Sequence, residues 1–121
     1  SGDYADAELL FQEMMALEPR SPEVLNGYAI CLREQWKLEE AERIYLKALK
    51  FSPEDSMSHW NIAILYDLYL GVPEKALTHY QTYQRLTEKP DRRVHGWVVD
   101  LQHRIKQKAQ EDKAVEVAGN E

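Results

Sequence analysis

The chain has 121 residues, enough for one modest domain with a continuous core. Apolar residues make up 44% and charged residues 30%, which excludes wholesale disorder, and no apolar run approaches the roughly 18 residues that span a bilayer. The formal net charge of -6 argues against nucleic acid, whose binders present a basic face or stripe.

The first element is a helix carrying Ala7 and Phe11, one turn apart on one face, and Pro19 stops it. The second carries Leu25, Tyr28, Ala29 and Leu32 at i, i+3, i+4 and i+7, an apolar stripe that must be covered. The third repeats the first, with Ala41 and Tyr45 ahead of Pro53. The fourth repeats the second through His59, Ile62, Ala63 and Tyr66. Gly71-Val72-Pro73 then turns the chain, with Pro73 suited to a first helical position, and a fifth helix carries Ala76 and Tyr80. After Lys89-Pro90-Asp91, with Asp91 as N-cap, a last stripe of Val94, Val98, Leu101 and Ile105 is flanked by Trp97. Its other faces are Arg92, Arg93, Gln102, Arg104, Lys106 and Gln107, so it reads as a cap that covers a core and meets water. From about Ala114 the pattern dissolves, and residues 114–121 are expected to form a frayed, disordered tail.

Ala7, Phe11 and Pro19 recur as Ala41, Tyr45 and Pro53, each displaced by 34 residues, and the small–aromatic pair returns as Ala76 and Tyr80 after a further 35. The small residue stands where two helices approach closely. This is an internal repeat, and it divides the chain into 2–21, 22–55, 56–90, a cap over 91–113 and the tail. The pattern resembles the tetratricopeptide repeat, W-x₂-L-G-x₂-Y…A-x₃-F…P. Residues 22–55 match it through Leu25, Tyr28, Ala29, Leu32, Ala41, Tyr45, Ala48 and Pro53, and residues 56–90 through Asn61, Ile62, Ala63, Tyr66, Ala76 and Tyr80. The resemblance implies an all-α, right-handed superhelical solenoid of antiparallel helix pairs with a C-terminal capping helix.

Two departures stand out. Trp36 occupies the place of the usual turn glycine, so that turn needs another geometry or a strained residue. The third unit has one extra residue, and Gly71-Val72-Pro73 is expected to supply its turn. The alignment also places Gly2 at an inter-helix turn, so further repeats are expected upstream and Ser1 is read as a cloning remnant.

Function follows from the resemblance. It implies a concave groove lined by the first helix of each pair, which holds a protein or peptide and catalyses nothing. The groove positions are Glu23, Asn26, Gly27, Ile30, Arg33 and Glu34 in one unit, and Met57, Trp60, Asn61, Ile64, Asp67 and Leu68 in the next. Met57, Trp60 and Ile64 make an apolar strip that Trp97 of the cap could extend, and Trp and Met suit binding surfaces. Two readings of the strip stay open: a groove for a partner, or a surface the cap covers. Asn61 matches the asparagine with which many family members grip a peptide backbone, since an amide donates and accepts at once; Asn26 is a weaker match. The expected partner-binding set is Asn26, Ile30, Arg33, Met57, Trp60, Asn61, Ile64 and Trp97. The basic clamp for a chaperone's C-terminal carboxylate is not carried over, because its positions read Glu23, Met57 and Trp60.

Other chemistry is thin. His59 and His79 fall at packing positions, and His95 and His103 are too far apart to share an ion, so no metal or cofactor is expected. There is no phosphate loop or nucleophile elbow. Cys31 reads as a small buried hydrophobe, and Trp36 as a turn plug or a contact on the convex edge. The alternative to a peptide groove is a scaffold that self-associates through open repeat edges, as a homo-oligomer. Asn61-Ile-Ala-Ile-Leu-Tyr-Asp-Leu-Tyr-Leu, Pro-Glu-Lys-Ala-Leu-Thr-His-Tyr and Trp97-Val-Val-Asp-Leu are also similar to proteobacterial envelope repeat proteins that accompany TonB-type or surface-assembly systems. That likeness implies a periplasmic or envelope-associated setting.

Overall fold

The computed structural model describes residues 2–88 and 91–120, so the readings made for Ser1 and for Lys89-Pro90 lie outside the described residues. The described residues form six α-helices in sequence: α1 (Gly2–Leu17), α2 (Pro22–Glu34), α3 (Leu38–Phe51), α4 (Ser56–Ile64), α5 (Pro73–Leu86) and α6 (Arg92–Gly119). Between α4 and α5, helix α4 continues as a π-helical segment, Leu65–Leu70. The described residues contain no strand.

Local chemistry sets the helix starts. Ser21 accepts from the Val24 N–H at 3.3 Å and Asp55 from the Ser58 N–H at 3.0 Å, while Asp91 accepts from the Arg93 N–H at 2.9 Å. Pro22 and Pro73 each stand in a first turn, where the missing N–H costs nothing.

Consecutive helices pack antiparallel, from α1 on α2 through α5 on α6. The core runs through the stack as Leu25, Ala29, Leu32, Ala41, Ile44, Tyr45, Ile62, Ala63, Leu65, Ala76, Tyr80, Val94, Val98 and Leu101, all buried. Ala29, Ala41, Ala63 and Ala76 have no exposed surface, as close helix approach requires. Gly27 serves the same end between α1 and α2, since a Cβ there would run into the Phe11 ring.

The two inter-helix corners of the complete units share a backbone device. Trp36 sits at φ 62, with its N–H on Arg33 O and the Lys37 N–H reaching back to Leu32 O at 2.9 Å. This is the left-handed cap that usually calls for glycine, here carried by a strained residue, one of the two alternatives the sequence left open. Gly71 sits at φ 66, and the Val72 N–H reaches back to Tyr66 O at 2.8 Å, one residue farther than in the first corner.

The turn falls at Gly71-Val72 with Pro73 opening α5, as expected, and the extra residue of the third unit is taken up in the widened turns of Leu65–Leu70. Two local expectations are corrected. Gly2 begins α1 instead of occupying a turn. Helix α6 continues through Gly119, past the expected end near Lys113. No proline interrupts residues 106–118, which are mostly good helix formers, so the exposed helix propagates without an apolar face.

Candidate functional site

The first helices of the two complete units, α2 and α4, lie side by side and are tied by a polar network. Asn26 Nδ2 donates to Pro22 O at 2.6 Å and to Ser58 Oγ at 2.7 Å. Ser58 in turn donates to Asp55 Oδ2 at 2.6 Å, and Asn61 Nδ2 donates to Asn26 Oδ1 at 2.9 Å. Asn26 is buried, and the network uses its donors and its acceptor, so it fastens α2 to α4. Asn26, expected as a groove contact, thus has both amide N–H groups and its Oδ1 engaged within the protein. Asn61 is half-buried, and its Oδ1 accepts no hydrogen bond among the described residues.

Above this tie the apolar strip divides into open and covered parts. Met57 is 52% exposed. Ile30 and Ile64, at equivalent positions in the two units, are half-buried against the core. Trp60 is half-buried in an aromatic cluster, with ring centroids 5.0 Å from Tyr83, 5.5 Å from Trp97 and 5.9 Å from Tyr80. Trp97 lies over Trp60 with 43% of its own surface exposed. The two tryptophans singled out in the sequence therefore meet, as an aromatic joint between α4, α5 and the cap. A small cavity of about 100 Å³ opens where α2 and α4 begin, lined by Pro22, Glu23, Asn26, Asp55 and Met57.

At the far ends of the same helices, Arg33 is held by Glu34 at 2.9 Å and lies 5.1 Å over the Tyr69 ring. Arg33 Nε and the Tyr45 hydroxyl are buried without a hydrogen-bond partner among the described residues. Burial pushes the Tyr45 phenol up to about 12. Beside it, Asp67 receives the Tyr80 hydroxyl at 3.3 Å and pairs with Arg104 of the cap at 3.5 Å. Burial first, and then Asp67, raises the Tyr80 phenol.

The histidines tie one helix pair together. His59 Nε2 lies 2.8 Å from Pro53 O, which can only accept, so in the neutral ring Nδ1 is the acceptor. His79 Nδ1–H therefore donates across the 3.0 Å gap to His59 Nδ1. Burial, then His59 and Lys75, pushes His79 down to about 4, so it is neutral at pH 7. Burial, then Glu8, raises the Cys31 thiol, and the residue packs as a small hydrophobe.

Sequence reasoning missed three parts of this surface. It did not find the Asp55–Ser58–Asn26–Asn61 chain, although Asp55 and Ser58 already stand at N-cap spacing. It also missed Tyr80 and Tyr83, one turn apart on α5, as the seat for Trp60 and Trp97. The stack of Trp36 on Tyr69 depends on how the extra residue of the third unit rotates the end of α4, and periodicity carries no signal for that.

Residues 1–60 match the family model described as Tetratricopeptide repeat. Among curated proteins, the chain is 35% identical to the TPR repeat-containing thioredoxin TTL4 of Arabidopsis thaliana over 64% of its length, covering 11% of that protein. It is 35% identical to Coatomer subunit epsilon-1 of Oryza sativa subsp. japonica over 56% of its length, covering 23% of it. The chain thus spans under a quarter of the length of these relatives. Among solved structures, the Yersinia enterocolitica type III secretion translocator chaperone SycD superposes with a TM-score of 0.76 at 19% identity, covering 87% of this chain and 76% of that one. The first TPR of Spaghetti (RPAP3), bound to the HSP90 peptide SRMEEVD, gives 0.76 at 16%, covering 87% and 82%. PcrH in complex with the chaperone-binding region of PopD gives 0.74 at 18%, covering 85% and 81%. At these identities the likeness is one of fold: an all-helical solenoid of the tetratricopeptide type.

Proposed function

We infer, taking as premise the tetratricopeptide-repeat family that the family model and the solved folds support for this chain, that the protein is a non-catalytic interaction module. Its concave face, between α2 and α4, takes an extended or helical segment of a partner protein. The observation that carries this reading is the apolar strip of Met57, Ile64 and Ile30 running beside Asn61, whose amide oxygen is uncommitted. Apolar anchors would fill the strip while Asn61 accepts a backbone N–H from the segment.

The neighbours of known structure support a peptide ligand, since PcrH and the RPAP3 domain were each solved with a partner segment. The ligand differs from an acidic chaperone tail, because Glu23, Met57 and Trp60 stand where a carboxylate clamp needs cations. Trp97 closes the strip at one end, with Trp60 as the wall beneath it. Arg33, pinned by Glu34, borders the other end.

Panning a random peptide library against the wild type and Met57→Glu in parallel tests the reading. Met57 is exposed, so the variant keeps its thermal midpoint; the wild type alone enriches an apolar motif. Equal enrichment by both proteins, or by neither, would sink the concave-groove reading.

A second reading is favoured by α1. Leu9, Leu10, Met14 and Leu17 are exposed on that helix, an apolar surface suited to self-association as a scaffold. Sedimentation equilibrium distinguishes it: mass that rises with concentration and falls on Leu10→Glu supports assembly, and a monomer at all concentrations contradicts it. The similarity to envelope repeat proteins adds a bacterial multiprotein assembly as the proposed setting, whereas the curated relatives above are plant proteins. Co-purification of the native complex from the source organism decides between these settings.

A further inference from the structure

Two irregularities of the backbone converge on one exposed patch outside the strip. The left-handed corner at φ 62 holds Trp36 out, with 70% of its surface in solvent. The π-helical segment brings Tyr69 to it, ring centroids 5.4 Å apart, and leaves Leu68, the preceding residue of that segment, 71% exposed. Arg33 lies on the Tyr69 ring and stiffens the array. A bulky residue at positive φ persists only where its surroundings hold it, and an exposed tryptophan braced in this way has the character of a binding hot spot. Met57, at the opposite end of the strip, lies some three helical turns away along α4, roughly 16 Å, and Arg33 marks where patch and strip meet.

Charge selects the occupant. The basic groups flanking Trp36 are already held, Arg33 by Glu34 and Lys37 by Glu8 at 3.3 Å. Glu39 and Glu40, in the first turn of α3 just beyond Trp36, are exposed and form no ion pair among the described residues. The wider half of the chain agrees, with 12 acidic against 6 basic side chains over residues 1–55. Among the described residues the patch is thus an aromatic–aliphatic surface with an acidic border, its adjacent cations Arg33 and Lys37 both held in ion pairs.

We propose that Trp36, Tyr69 and Leu68 form a second docking surface for a basic segment of a partner protein, one that places a leucine or isoleucine on Leu68 and Tyr69 and an adjacent lysine or arginine over the Trp36 indole. Glu39 and Glu40 complement the remaining positive charge, steering the segment in and rejecting acidic competitors.

The test is selection of phage-displayed random dodecapeptides on the wild-type protein with counter-selection on Trp36→Gly. Glycine suits the left-handed corner, and Trp36→Asn, also tolerant of that conformation, serves as a second variant should glycine loosen the turn. The expected winners carry Lys or Arg beside Leu or Ile. A synthetic copy should bind the wild type roughly fivefold or more tightly than either Trp36 variant. It should weaken comparably on Glu39→Gln with Glu40→Gln and in high salt, and be indifferent to Met57→Glu. Three results overturn the proposal: no peptide that depends on Trp36, winners that are acidic or uncharged, or binding unmoved by the double glutamine variant. Loss of the same peptides on Met57→Glu would assign them to the concave strip and overturn it as well.

Discussion

The units 22–55 and 56–90 turn the same corner with different residues. In both, the chain leaves its first helix through one left-handed residue, Trp36 at φ 62 and Gly71 at φ 66. Glycine takes that conformation without penalty, whereas a bulky residue there costs roughly 1–2 kcal/mol. The second difference is one of length. The Lys37 N–H closes on Leu32 O, but the Val72 N–H closes on Tyr66 O, one residue farther, and the surplus is taken up by the π-helical turns of Leu65–Leu70. The repeat therefore fixes where the corner must be and what backbone it needs. The residue that supplies that backbone and the residue count that reaches it are free to vary, and both variations end at the surface carrying Trp36 and Tyr69.

The strongest way to break this equivalence is at the helix crossings. Ala41 and Ala76 have no exposed surface and occupy the same repeat position, so Ala41→Trp and Ala76→Trp should each cost roughly 1–3 kcal/mol or more by overpacking, measured by urea unfolding. A neutral result at either would show the register of that unit to be wrong. Next comes the glycine corner. A Cβ on Gly71 meets nothing within 4 Å, so Gly71→Ala tests backbone strain alone, and a loss of about 1–2 kcal/mol is expected.

Acid should separate the units as well. His79 belongs only to the third unit, and its folded value of about 4 lies below the usual 6.5. The unfolded chain therefore binds the proton more readily over that window. The contribution is fully present above about 6.5 and is lost as pH falls toward 4, so the thermal midpoint should drop between these values. His79→Gln should flatten the drop, and a pH profile identical to wild type would remove the histidine pair from the account. The smallest effect is expected at Trp36→Gly. Relief of the strained φ and loss of the Tyr69 stack oppose each other, leaving stability within about 1 kcal/mol of wild type.

The same contrast explains how much the sequence disclosed. The repeat was readable because Ala7, Ala41 and Ala76, each with an aromatic one turn on, answer a steric demand common to every unit. Trp36 could be recognised as a turn residue under strain, since the periodicity had already placed the corner. The location of the extra residue could not be read: the Gly71 turn and a widened helix accommodate one residue equally well in a one-dimensional pattern, and only packing of Leu65 and Tyr66 into the core chooses between them. The concave strip was partly legible. Met57 is exposed and Ile30 and Ile64 are half-buried, whereas the Asn26 amide, placed in the groove by analogy, is engaged by Pro22, Ser58 and Asn61. Trp60 was placed in the strip and Trp97 as its extension. Their mutual contact depends on Tyr80 and Tyr83, which a helical period alone reads as ordinary packing residues.

The central claim is that the face between α2 and α4 receives a partner segment. It is tested most directly by mapping backbone amide shifts of the isotope-labelled protein as a peptide selected on the wild type is added. The account predicts perturbations running along Ile30, Met57, Asn61 and Ile64, with the Trp97 indole responding at the margin. Shifts confined to α1 or to the exposed end of α6, with these residues silent, would contradict it.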